Sequence, residues 1–147
     1  MEDKEAFIKD FIYNDTQEEK IQKIEIIDDP DTLHIIAANY NWNDGFEIPY
    51  LILNNKSCDL GTALMIFYLA EGELFLLEAH NTSKNKEWIS FLNNLYDRIN
   101  ENLFINKSIK YIPVLSKIQA YKIKKINTNY RDIFFEGTTG IELNTRL

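Results

Sequence analysis

The chain has 147 residues, 45% of them hydrophobic and 13% aromatic, with only five glycines and three prolines. That is the size of one domain, 1–147, with a core of its own, and it excludes intrinsic disorder and long flexible linkers. The net charge of −7 is uneven: residues 1–60 hold 14 acidic and 5 basic groups, residues 61–147 hold 9 and 11.

The first helix is predicted over residues 3–13, where Phe7, Ile8, Phe11 and Ile12 recur at helical spacing. Thr16 and Glu19 form a capping-box pattern, in which the hydroxyl accepts from an orphan amide and the glutamate reaches back. It opens a helix to about Ile27. Asp29-Pro30 reads as N-cap and first helical position, because proline lacks only a donor that is unpaired there anyway. The helix that follows carries Leu33, Ile36, Ala37 and Tyr40 on one face and stops in Asn41-Trp42-Asn43-Asp44-Gly45, a run of turn formers.

The next helix starts near Phe46 or Glu47, since Pro49 is tolerated only in a first turn. Ile48, Leu51 and Ile52 form its apolar face, and Asn54-Asn55 ends it. Asp59 then caps a helix from Leu60 to about Ala70, apolar almost all round and therefore central to the core. Gly72 is its expected left-handed stop. Leu74 to Leu77 is too short to assign. Ser83 is the expected cap of the most regular helix, with Trp88, Phe91, Leu92, Leu95, Tyr96 and Ile99 on one face. Pro113 is expected to open a further helix through about Ile126, although Tyr121 to Lys124 alternates like a strand. The tail, with Gly137 and Gly140, reads as irregular or short β.

Leu33, Ile36, Ala37, Tyr40, Asp44 and Gly45 recur 27 positions later as Leu60, Ala63, Leu64, Phe67, Glu71 and Gly72. Stacked helix pairs of the solenoid kind produce such an echo, and so do any two amphipathic helices ending in glycine. Either way the expected architecture is all-α, a compact array of about six or seven helices.

Several function classes fall away. The acidic start, Met1-Glu2-Asp3-Lys4-Glu5, is unlike a secretory signal, and no apolar run approaches the roughly 18 residues that span a bilayer. A single cysteine suits a reducing compartment, so a cytoplasmic protein with no membrane association is expected. Phosphate-cradling glycine loops and serine-hydrolase elbows are absent. An acidic whole argues against nucleic acid as a partner. Between Asn102 and Arg131 there are six lysines and no acid; interleaved with Tyr111, Tyr121 and Tyr130 they resemble a nucleic-acid patch in composition, and the favoured reading is a solvated helix face with Ile112, Leu115 and Ile118 turned inward.

The densest candidate region is Tyr40 to Pro49. Asp44 and Glu47 lie three apart near a helix start beside Trp42, and with His34 they offer a carboxylate pair plus imidazole, enough for a metal or for acid–base work in a small enzyme. The competing reading makes Asp44 a turn residue, Glu47 a complement to the helix dipole and Trp42 a packing corner. Cys58 precedes a helix N-terminus, where a thiol pKa falls, yet free cysteine is most often a small core residue. Zinc needs about four N, S or O donors, and no such set is visible; no cofactor is expected.

The segments Leu33-His34-Ile35-Ile36-Ala37, Tyr40 to Pro49, Cys58 to Leu64 and Phe67 to Gly72 together resemble a bacterial family, domain of unknown function 4274, over roughly residues 30–75. The resemblance implies bacterial origin and a compact core in that segment, and it carries no activity. The leading expectation is a non-catalytic helical protein-binding module, immunity-like or adaptor. Asp28, Asp29, Asp31, Trp42, Asp44 and Glu47 would then face a basic, toxin-like partner, whose complementary field speeds encounter.

Overall fold

The computed structural model describes residues 3–78 and 85–147. The first helices follow their capping signals. α1 (Lys4–Tyr13) starts at Asp3, whose carboxylate accepts from the Glu5 amide, and it buries Ile8 and Phe11. α2 (Gln17–Ile26) opens on the Thr16–Glu19 capping box with both bonds made. α3 (Pro30–Ala38) starts at Asp29 and buries Leu33, His34, Ile36 and Ala37. A 3₁₀ turn, Trp42–Asp44, follows. α4 (Glu47–Asn54) buries Ile48, Ile52 and Leu53, whereas Leu51 is only half-buried. α5 (Leu60–Leu69) has its first eight residues buried, which is the all-round burial expected of it.

Gly72 does not stop α5. It is the first residue of α6 (Gly72–Leu77), and Glu71 takes the left-handed position at φ 66°. Packing explains the glycine: a Cβ there would lie 2.2 Å from the Phe67 ring. α7 (Lys86–Asn100) buries Ile89, Phe91, Leu92, Leu95 and Ile99. Its cap is Asn85, which accepts from the Glu87 and Trp88 amides; Ser83 lies outside the described residues.

α8 (Lys117–Ile126) starts four residues later than Pro113 suggests, because Ser116 and Gln119 close a capping box. Tyr121 to Lys124 is therefore helical. Ile112 is 49% and Ile118 68% exposed, contrary to the inward placement expected, and Ile123 is the residue α8 buries. After α9 (Ile133–Glu136) the tail is irregular, and isolated parallel bridges join Asp59 to Asn106 and Ile109 to Ile141. The array is all-α.

The helices pack on their second neighbours. α1 packs on α3, α3 on α5 and α5 on α7; among the even helices α2 packs on α4 and α8 on α6. Residues of the 27-position echo, Leu33 with Leu60 and Ile36 with Ala63, are thus buried in two stacked odd helices, α3 and α5, whereas Tyr40 lies just past the end of α3. One cluster of buried side chains runs from Ile8 to Phe134. Among the described residues, no helix is long and apolar enough to cross a membrane.

Candidate functional site

The corner after α3 is built locally. The Asn41 side chain accepts from the Asn43 amide at 3.1 Å and turns the chain, and the Tyr40 hydroxyl donates to the Gly45 carbonyl at 2.6 Å. Trp42 sits edge-on to Tyr40 (5.4 Å), Phe46 (6.2 Å) and Phe91 of α7 (6.2 Å), a geometry the ring quadrupoles favour. The indole therefore ties the turn to α7, and its buried Nε1 has no hydrogen-bond partner among the described residues. Asp44 and Glu47 stand exposed at the rim. Glu47 occupies the first turn of α4, where the helix dipole favours its charge, and accepts from Gln17 Nε2 at 3.0 Å. Burial pushes the Tyr40 phenol up to about 12, and the charges of Asp44 and Glu47 push the same way.

The other acids lie at the opposite end of α3. Asp28 is exposed and Asp31 half-buried. Asp29 is occupied: it pairs with Lys4 at 2.7 Å, accepts from the Thr32 hydroxyl at 2.7 Å and caps the Asp31 amide at 3.2 Å. Burial would raise its carboxyl pKa, but these bonds outweigh burial and hold it below the usual value. The bond to Asp29 raises Lys4 in turn. The six candidates thus form two groups, Asp28, Asp29 and Asp31 at the start of α3 and Trp42, Asp44 and Glu47 after its end. α3, nine residues long, spans about 14 Å between its ends at 1.5 Å per residue.

His34 joins neither group. Its buried ring shares a 2.9 Å hydrogen bond with the Thr62 hydroxyl of α5. Burial lowers its pKa, against the opposing charges of Asp59 and Asp31. Among the described residues no group of three or more His, Cys, Asp or Glu side chains is placed to hold a metal ion. Cys58 is buried, and burial pushes its thiol up to about 12, the reverse of an activated nucleophile.

A residue read only as a helix cap does much more. Asp59 is 0% exposed, and its two carboxylate oxygens accept from the Gly61 (2.8 Å), Ser108 (2.6 Å) and Ile109 (3.2 Å) amides. The chain comes so close here that a Cβ on Gly61 would lie 2.2 Å from the Ile109 carbonyl oxygen. The cap signal was legible at Asp59-Leu60-Gly61, but its partners 49 and 50 positions away were not.

Residues 28–100 match the family described as Domain of unknown function (DUF4274), so the resemblance over 30–75 holds and reaches the end of α7. No curated protein and no solved structure matched the chain.

Proposed function

We propose that this chain is a non-catalytic protein-binding module of the bacterial cytosol, immunity-like or adaptor, acting as one unit on a basic partner. What supports the reading is an imbalance of charge on a packed helical frame. The ion pairs among the described residues are Lys4–Asp29, Lys9–Glu5 and Lys23–Asp15, and none of them takes Asp28, Asp31, Asp44 or Glu47. Unneutralised carboxylates of this kind steer a cationic partner and fix its register more than they add affinity. Asp28 and Asp31 at one end of α3, and Asp44 and Glu47 at the other, mark a footprint on the scale of that helix, about 14 Å, well within an ordinary interface of about 800 Å² per partner. Asp29 contributes mainly by holding α3, and Trp42 by holding the corner.

The test is affinity capture with the wild-type chain and a D28K/D44K/E47K variant side by side, with thermal melting of both baits as the folding control. A basic protein held by the wild type, released by raised salt and lost from the variant is the expected result. The same set of proteins on both baits overturns the reading.

A further inference from the structure

The two ends of the helix stack expose faces that no other helix covers among the described residues, and their charges are opposite. At one end α2 packs on α1 and α4 and buries only Ile24. Helical geometry turns Glu18, Gln22, Glu25 and Ile26 away from that contact, and Ile26 is 75% exposed. At the other end α8 packs on α6, burying Ile123, while Gln119 bonds Glu73 of α6 at 2.7 Å. Opposite Ile123 the helix presents Lys117, Ile118, Tyr121, Lys122 and Lys125, with Ile118 at 68% and Tyr121 at 64% exposure. None of these lysines, and neither Glu18 nor Glu25, belongs to an ion pair among the described residues. Repeat stacks ordinarily close their ends with polar faces. Here Ile26 stands exposed at one end beside Glu18 and Glu25, and Ile118 and Tyr121 at the other beside Lys117, Lys122 and Lys125.

We propose that the chain associates head to tail with a second copy of itself, the outer face of α8 seating on the outer face of the neighbour's α2. Ile118 and Tyr121 would pack against Ile26, with Lys117, Lys122 and Lys125 facing Glu18 and Glu25. The contact repeats between even helices the packing already made by α2 on α4 and α6 on α8. Because the two surfaces differ, the association is heterologous and propagates into a series or closes into a ring, rather than stopping at a symmetric dimer. It rests on side chains other than those of the partner reading (Asp28, Asp31, Asp44 and Glu47), although Ile26 and Asp28 line one surface cavity.

Sedimentation velocity over about 10 to 500 µM tests it, a range suited to weak, specific contacts. The wild type should rise above its 17.3 kDa monomer mass with concentration, and less so as salt screens the charges. K117E/K122E/K125E alone and E18K/E25K alone should each weaken association at least tenfold. An equimolar mixture of the two should restore it, since each variant then meets a complementary face. Restoration also shows that both variants are folded, and circular dichroism melts check this separately. A wild type that stays monomeric throughout, or a mixture that does not recover, overturns the proposal. So does a monomer that instead sediments with phosphatidylserine vesicles through the lysine face.

Discussion

α3 and α5 begin at aspartates whose side chains cap an amide two residues on, and their apolar faces meet one another across the stack. Residues 103–116 and 137–147 have no such local scaffold. There the Asp59 carboxylate holds the Ser108 and Ile109 amides, and the Thr138 hydroxyl donates to the Ile109 carbonyl and accepts from the Tyr111 amide, each at 2.8 Å. Asn39 reaches Thr145 across 106 positions of sequence. The first region is built from rules that act within a turn of helix. The second is an irregular strap whose backbone groups depend on residues far away in the chain. The family match covers the first region and leaves out the second.

The sharpest way to break this contrast is at Asp59, where the two regions join. Asp59→Ala strands the Gly61, Ser108 and Ile109 amides, and urea denaturation should show a loss of about 3–5 kcal/mol. Asp59→Asn keeps one acceptor oxygen and should cost less. A purely local cap would cost only about 1 kcal/mol, so a loss that small would mean the strap does not lean on this residue.

A middle-sized effect should come from His34, inside the helical region. Its pKa is lowered by burial. Below the unfolded histidine value of about 6.5, the unfolded chain takes up a proton that the folded chain resists, so stability falls as pH drops through that range. Melting temperature should decline from pH 7 to pH 5, and His34→Gln should flatten that decline. Asp29 acts in a separate window: its lowered carboxyl pKa adds stability that is present above its ordinary value of 3.8 and lost as pH falls below it. A decline confined to the lower window would remove His34 as its source.

The smallest effect should come from the exposed face of α8. Ile118→Ser removes a large apolar side chain that touches little of its own chain and should change monomer stability by no more than about 0.5 kcal/mol in chemical denaturation. A larger loss would place Ile118 in the core, where the spacing of Ile112, Leu115 and Ile118 had suggested it belonged.

Helix starts at Thr16, Asp29 and Asp59 were legible because capping couples residues two or three apart, and the stripe in α7 was legible because burial repeats with the helical period. The same reasoning misread Gly72, since its glycine serves a contact with Phe67 rather than a turn. It also read Pro113 as a helix start although the stronger signal, Ser116 with Gln119, stood three residues on. The candidate site was legible as residue types at a corner. That Trp42 spends its ring on Phe91, and that His34 belongs to Thr62, depended on which helices stack.

By itself the sequence determined the all-α class, the acid-rich first sixty residues, the buried α5 and the corner from Trp42 to Pro49, because all of these rest on composition or on contacts within a few residues. Tertiary structure alone decided that His34 belongs to Thr62, that Asp59 is the anchor of the strap, and that Ile118 faces outward. Each of those depends on which distant segments meet, and that is set by the packing of whole helices.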